Sequence, residues 1–174
     1  KIMEMIKEHD ITYVDLRFTD IAGKMQHVTQ HVDTIDEDAL TEGFMFDGSS
    51  IAGWKAINES DMTLMPDLYR AYIDPFFAQP TLALFCDVLE PSSGQAYDRD
   101  PRGTAKAALA HIESLGIADT AFFGPEAEFF IFEDVKIDVS MNRGLYSVDS
   151  VEGPYNSARK YGEGNLGHRP GVKG

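Results

Sequence analysis

The chain has 174 residues, of which 43% are hydrophobic and 25% are charged, so its length and composition suit one globular domain or two small ones. Its 29 acidic residues exceed its 15 basic residues and give a formal net charge of −14 at pH 7. Such a charge repels the phosphates of nucleic acid and the surface of an anionic membrane. It therefore argues against both partners, and it favours bound divalent cations wherever an anionic substrate is handled.

The cysteine content and the hydropathy pattern favour a reducing cytoplasm. The single cysteine, Cys86, cannot form an internal disulfide and lies in an apolar run that is typical of a buried strand. No segment approaches the roughly 18 consecutive apolar residues of a membrane helix, and no signal-peptide pattern opens the chain. We expect the first residue, Lys1, and the last, Gly174, to be cut edges of a longer chain.

The first 32 residues predict a short amphipathic helix followed by a β-hairpin. Residues 1–10 space their apolar side chains at helical intervals. Residues 11–20 alternate strictly between apolar and polar side chains, as a half-buried strand does. A turn over residues 21–24 then leads into a second strand over residues 25–32.

The middle of the first hundred residues has weaker signals. Thr34 or Asp36 can cap a short helix that runs through Leu40 and ends at Gly43. Residues 46–80 are punctuated by proline and glycine and predict loop structure of a kind that is usually functional. Residues 81–89 follow as a nearly continuous apolar strand.

A segment rich in proline, glycine, serine and aspartate, residues 90–103, predicts a domain boundary. Beyond it, Asp100 can cap a helix whose first residue is Pro101, and the helical pattern runs from Ala105 to Leu115 before Gly116. Residues 120–139 then predict a long strand that is interrupted at Gly124-Pro125. After Asp138 the chain becomes polar and glycine-rich and predicts no regular element.

Two glutamates stand one residue apart in the phenylalanine-rich stretch FFGPEAEFFIF, residues 122–132. In a strand, Glu126 and Glu128 share one face. Two neighbouring carboxylates in apolar surroundings each raise the pKa of the other, so an arginine, a shared proton or a hard divalent cation must compensate. Most such pairs lie on the solvated face of an edge strand, and spacing alone leaves both interpretations open.

Two loops could also carry chemistry. The stretch FMFDGSSIAGW, residues 44–54, has Asp47 before a glycine, which indicates a simple turn or an exposed carboxylate offered to a cation. Glu59 and Asp61 follow nearby, where a solvated acidic loop is the plainer interpretation. The stretch GNLGHRPGVKG, residues 164–174, has the densest positive charge of the chain, which suits an anionic ligand or a flexible basic loop.

These stretches, in this order, resemble bacterial type I glutamine synthetase. The resemblance rests on FDGSSIAGW with NESDM, on FGPEAEFFIF and on NLGHRPGVKG, and it covers essentially the whole chain as the N-terminal portion of a longer subunit. It implies an α+β fold. Residues 1–100 would form a small N-terminal β-grasp-like domain, and residues 101–174 would begin a catalytic domain made of an antiparallel sheet with helices.

The resemblance also implies a reaction, the ATP-dependent amidation of glutamate by ammonia through γ-glutamyl phosphate. In that reaction Glu126 and Glu128 would bind Mg²⁺ or Mn²⁺, with ATP as co-substrate. Asp47 would bind ammonium and take its proton in the neighbouring subunit's site. Ser50 and Trp54 would position the loop, and Asp61 would be a further candidate. The partners implied are identical subunits in a cytoplasmic ring of two stacked hexamers, with glutamate, ammonium and ATP as substrates.

Two departures from the family pattern qualify this expectation. Residues 161–165 read YGEGN where the family has YEGGN, which bears on the backbone contacts of that loop. The remaining metal ligands and most of the nucleotide site would lie beyond Gly174, so we expect this fragment alone to be inactive. Two alternatives stay open: a γ-glutamyl-amine ligase of the same fold, which Asp47 disfavours because a larger amine needs its space, and a non-catalytic member that binds metal or a partner.

Overall fold

A computed structural model describes residues 1–150 of the chain. The chain divides into two compact units, Lys1–Phe122 and Phe123–Gly174. The basic stretch at residues 164–174 and the YGEGN sequence at residues 161–165 lie outside the described residues. Among the described residues, no helix is long and apolar enough to cross a membrane.

The first unit contains three helices and five strands. In chain order they are α1 (Ile2–Glu8), β1 (Tyr13–Thr19), β2 (Met25–His31), α2 (Glu37–Glu42), β3 (Phe44–Asp47), β4 (Asp61–Ile73), β5 (Thr81–Leu89) and α3 (Pro101–Ser114). In the second unit, residues 123–150 contain two strands, β6 (Asp134–Ser140) and β7 (Arg143–Asp149), which pair as an antiparallel hairpin.

The sheet of the first unit has the strand order β2-β1-β5-β4-β3. Its central pair, β1 and β5, is parallel, and every other neighbouring pair is antiparallel. The predicted hairpin of β1 and β2 is confirmed. Its turn is held by Asp20, whose carboxylate accepts the backbone N–H groups of Ala22 and Lys24, each at 2.9 Å.

One face of this sheet carries the hydrophobic core. The apolar residues that alternate along β1 and those of the apolar run in β5 are buried on this face, and α1 and α2 cover them with Ile2, Ile6 and Leu40. An aromatic cluster closes one side of the core. It consists of Phe18, Phe46, Trp54 and Tyr97, whose neighbouring ring centroids lie 5.0 to 6.3 Å apart.

The opposite face of β1 buries a carboxylate. Asp15 is 1% exposed, and its oxygens bind Arg17 Nε, His27 Nδ1 and Thr29 Oγ1, each at 2.7 Å. Arg17 also donates to Asp74 at 2.6 Å. The buried charge is therefore paired and hydrogen-bonded, which is the condition under which a protein interior tolerates one.

The helix caps decide where the helices begin and end. Asp36, rather than Thr34, caps α2, because its carboxylate accepts the N–H of Ala39 at 2.7 Å. Gly43 ends α2 with φ of 87°, a conformation that favours glycine, and a Cβ there would lie 2.9 Å from the carbonyl oxygen of Leu64. The predicted cap at Asp100 and the predicted first residue of the helix, Pro101, are both confirmed.

The prediction of loop structure over residues 46–80 was wrong, since β4 fills thirteen of these positions. Pro66 concealed the strand in the sequence, because proline has no N–H group to donate to a sheet. The structure accommodates it at an irregularity where the register between β4 and β5 shifts from Pro66 to Ala71.

The predicted long strand over residues 120–139 was also wrong for most of its length. Residues 121–132 form neither helix nor strand, and the strand begins only at Asp134. A strand needs a partner to satisfy its backbone N–H and C=O groups, and among the described residues none pairs with residues 121–132. The predicted absence of structure after Asp138 was wrong as well, because β7 returns along β6 after a tight turn at Met141-Asn142.

Candidate functional site

Asp47 lies at the end of β3, where the chain turns out of the sheet. Its carboxylate accepts two hydrogen bonds from Ser49, from the backbone N–H at 2.8 Å and from the hydroxyl at 2.6 Å. A 3-10 turn over Gly48–Ser50 follows, and the N–H of Gly48 donates to the carbonyl of Ser60 at 2.7 Å. These bonds fix an Asp-Gly turn of the kind that the sequence predicts.

The loop is seated closely on the core. Gly48 is buried, and a Cβ on it would lie 2.8 Å from Cγ of Met62, a fully buried residue of β4. Ile51 and Trp54 are 8% and 7% exposed and anchor the chain that follows. The guanidinium of Arg99 donates to the carbonyl of Gly53. The loop therefore presents its polar residues from a rigid base.

The environment of Asp47 favours its charged form. The pKa of Asp47 is lowered by the hydroxyl of Ser49 and then by the backbone N–H of the same residue, with a smaller contribution from the side chain of Ser60. The carboxylate is exposed. All of these donors are neutral, so the negative charge is stabilised without being cancelled.

A second carboxylate stands directly opposite the first. Asp47 of β3 pairs in register with Asp61 of β4, which is also exposed. Like charges directly opposite each other on neighbouring strands destabilise a sheet unless something neutralises them. The structure thus brings together two residues that the sequence singled out, and the pair forms a point of negative potential suited to a cation.

Asp61 also lines an open depression of about 620 Å³ in the first unit. Lys55 and Glu90 line it as well and form an ion pair at 2.5 Å between Nζ and Oε1. Glu59 adds another carboxylate to the wall. The single lysine is thus already engaged, and the depression keeps a negative character.

Ser50 and Trp54 have different positions in this loop. Ser50 is exposed at the end of the 3-10 turn, whereas Trp54 is packed between Phe18 and Tyr97, with ring centroids 5.5 and 5.2 Å away. The indole N–H of Trp54 is buried without a hydrogen-bond partner among the described residues. Trp54 therefore anchors the loop through its ring.

Glu126 and Glu128 belong to the second unit and are both exposed. Because they lie outside any strand, the argument that strand alternation puts them on one face does not apply to this structure. Within residues 1–150, no three His, Cys, Asp or Glu side chains are grouped so that they could hold a metal ion. Their roles as metal ligands remain predictions.

Sequence reasoning missed the closest partners of Asp47. Ser49 makes both of its short hydrogen bonds, and the backbone of Ser60 holds the turn. An aspartate in a turn commonly accepts the backbone N–H two residues further along, and this rule could have identified Ser49. Ser60 could not have been found, because its contact depends on the pairing of β3 with β4.

Comparisons with known proteins identify two successive domains. The family model described as the glutamine synthetase β-grasp domain matches residues 10–91. The model described as the glutamine synthetase catalytic domain matches residues 98–169. The gap between the matches is near the predicted boundary, whereas the division into compact units falls after Phe122 because α3 lies against β5. A domain boundary at residue 100 remains a prediction.

Curated relatives named glutamine synthetase match the chain over its whole length. The protein from Azospirillum brasilense is 66% identical over 174 residues, that from Rhizobium meliloti is 59% identical over 174, and that from Salmonella typhimurium is 54% identical over 173. The chain spans 37% of the length of each of these relatives.

A solved structure agrees on the fold. The cryo-EM structure of Plasmodium falciparum glutamine synthetase superposes with a TM-score of 0.67 at 24% sequence identity, and it covers 93% of this chain and 32% of that one. The predicted fold class is confirmed: a β-grasp domain precedes the start of a catalytic domain.

Proposed function

The chain belongs to the glutamine synthetase family, and we propose that the protein, at the length of its relatives, ligates ammonia to L-glutamate at the expense of ATP. The observation that carries this proposal is the succession of both family domains along one chain that is 66% identical to a curated glutamine synthetase. Glutamate would first accept the γ-phosphoryl group of ATP. Ammonia would then attack the γ-carbonyl carbon and displace phosphate.

Asp47 would bind the ammonium ion. Its exposed carboxylate has a lowered pKa, and Asp61 opposite adds a second negative charge, so the pair attracts a small cation. Ammonium must lose one proton before its nitrogen can form the new C–N bond, and a carboxylate beside it can accept that proton. Because the lowered pKa makes Asp47 a weak base, its larger contribution would be to hold the cation in place.

Glu126 and Glu128 would supply carboxylate oxygens to Mg²⁺ or Mn²⁺. Oxygen donors of this type suit both cations, but two carboxylates are fewer than either ion needs, so further ligands would come from elsewhere in the longer protein. When bound, the cation would neutralise the two glutamates and screen the charge that builds up as phosphate moves between anions.

We further propose that the protein works in the cytoplasm as a ring of identical subunits. Asp47 would face the catalytic domain of the neighbouring subunit, and the ring would contain two stacked hexamers.

The environment of Cys86 agrees with a thiol that plays no part in the reaction, since burial raises its pKa to about 12 and keeps it protonated.

The test is a glutamine assay on the protein at the length of its relatives, with glutamate, ATP, Mg²⁺ and either ammonium or methylamine. We expect glutamine with ammonium. We expect Asp47→Asn to lower kcat/KM for ammonium on the order of a hundredfold, because the variant removes both the charge that holds the cation and the acceptor for its proton. The affinity for ATP should stay unchanged.

Asp98→Asn is the matched control, because Asp98 is exposed and its side chain bonds to no other described residue. It should leave kcat/KM for ammonium unchanged. A protein that used methylamine but made no glutamine would refute the proposed reaction. Equal losses of ammonium and ATP binding in Asp47→Asn would refute the specific role of Asp47.

A further inference from the structure

Helix α3 rests on the sheet of the first unit through polar contacts. None of its residues is buried within the described part of the chain, although its apolar side chains are spaced so that one face of the helix could be buried. The helix meets the sheet at strand β5. Among the described residues, the contacts that orient α3 on the sheet include hydrogen bonds from polar side chains at its N-terminus.

Asp100 is the first of these side chains, and it is 1% exposed. One carboxylate oxygen caps α3 by accepting the N–H of Arg102 at 3.0 Å, and the other accepts the N–H of Val88 on β5 at 3.1 Å. Hydrogen bonds to an ionised group are about twice as strong as neutral ones. A single carboxylate therefore ties the backbone of the helix to the backbone of the strand.

Arg102 is the second side chain at the N-terminus of α3 that contacts the sheet. Its Nε donates to Asp87 of β5 at 2.7 Å, and its Nη2 donates to Asp67 of β4. The carboxylate of Asp67 also accepts the N–H of Tyr69 at 3.0 Å, within the irregular part of β4. Because the guanidinium is a rigid planar fork, two acceptors on two strands fix its direction as well as its distance.

These contacts join the two family domains. Asp67 and Asp87 lie within the β-grasp match, which ends at residue 91, and Asp100 and Arg102 lie within the catalytic-domain match, which begins at residue 98. We propose that these four residues, the α3 joint, position the first helix of the catalytic domain on the sheet that carries Asp47, and that ammonia transfer depends on this positioning. The inference rests on the proposed function.

The joint is expected to act on rate more than on stability. The ion pairs of Arg102 are partly exposed, at 33% for Arg102 and 18% for Asp67, so solvent screening limits their contribution to the free energy of unfolding. A small displacement of a reacting group, however, lowers a rate on the order of ten- to a hundredfold even when its origin is distant. Asp100 and Arg102 would accordingly act as positioning residues, since the contacts shown for both are to other protein groups.

The experiment compares Arg102→Gln, Asp67→Asn and Arg102→Lys in the protein at the length of its relatives, at a temperature below the onset of unfolding of every variant. Arg102→Gln and Asp67→Asn should lower kcat for glutamine formation at least tenfold while the KM for ATP and the oligomer mass stay unchanged. Arg102→Lys should restore part of the loss, because lysine can pair with one carboxylate but cannot span two in a fixed plane.

Arg70→Gln is the matched control, since Arg70 is an exposed residue of β4, the strand that also carries Asp67, and its side chain bonds to no described residue. The joint is refuted if Arg102→Gln and Asp67→Asn keep the kcat of Arg70→Gln, or if they lower the melting temperature alone. If Asp47→Asn behaves as expected while Arg102→Gln does not, only the joint fails. If Asp47→Asn also leaves ammonium use unchanged, the proposed role of Asp47 fails independently.

Discussion

Replacing Gly48 with alanine is expected to displace the loop that holds Asp47. A Cβ at this position would lie 2.8 Å from Cγ of Met62, whereas ordinary van der Waals contact begins near 3.4 Å. Met62 is a fully buried residue of β4, the strand that lies between β3 and β5, and its side chain cannot move away freely. An added methyl group in a filled core costs about 1 to 3 kcal/mol of unfolding free energy.

The strain should be relieved mainly by the loop, because Gly48 lies at its edge and Met62 lies in the core. A shift of Gly48 lengthens its hydrogen bond to Ser60, now 2.7 Å, and moves the adjacent carboxylate. We therefore expect Gly48→Ala to lower the melting temperature and to raise the KM for ammonium at least tenfold. Differential scanning calorimetry and the glutamine assay measure the two effects on one preparation.

Gly103→Ala provides the control. Gly103 lies inside α3, where a Cβ would have its nearest neighbour at 3.5 Å, an ordinary contact. Alanine is the better helix former by up to about 1 kcal/mol, so this variant should be as stable as the parent or more stable. The reasoning about Gly48 is wrong if Gly48→Ala matches Gly103→Ala in both melting temperature and KM for ammonium.

Two further predictions concern acidic residues. The pKa of Asp15 is lowered in the folded protein: burial alone would raise it, but hydrogen bonds from His27 and Arg17 more than offset that effect. The ionised carboxylate therefore stabilises the folded state. This stabilisation is complete above about pH 3.9, the ordinary carboxyl value, and it is lost as the pH falls through the lower pKa of the folded state. Asp15→Asn should therefore cost about 3 kcal/mol at pH 7 and less at pH 3, as measured by urea unfolding; a cost that does not vary with pH would contradict this assignment. Glu126→Gln and Glu128→Gln should each weaken Mn²⁺ binding about tenfold or more in calorimetric titrations, and unchanged affinities would refute their role as ligands.

Local sequence signals were sufficient to predict an element where the pattern of apolar and polar residues matched the burial of those residues in the fold. Strand β5 was predicted at residues 81–89, where the structure has it, because an apolar run in a central strand needs no alternation. The cap at Asp100 was predictable because a carboxylate before a helix commonly accepts its first N–H groups. The sequence left Thr34 and Asp36 as alternatives for α2, and the hydrogen bond from Ala39 to Asp36 decides between them.

Other features depend on contacts that no local pattern records. Strand β4 contains Pro66, which reads as a strand breaker unless the register shift beside it is known. The phenylalanines around Glu126 suggested a strand, but strand formation depends on a pairing partner elsewhere in the protein. The pairing of Asp47 with Asp61 likewise requires β3 and β4 to be adjacent, and only the fold makes them so.

The difference between Asp15 and Asp47 explains why one carboxylate is structural and the other is a candidate for chemistry. Asp15 is buried and its charge is balanced by Arg17, so no ligand is needed to stabilise it. Asp47 is exposed, the hydrogen bonds that it accepts from Ser49 come from neutral donors, and Asp61 stands opposite. Holding it ionised there costs stability, because like charges face each other. A cationic ligand that binds between them would recover that cost, which is the physical basis for assigning ammonium to this edge of the sheet.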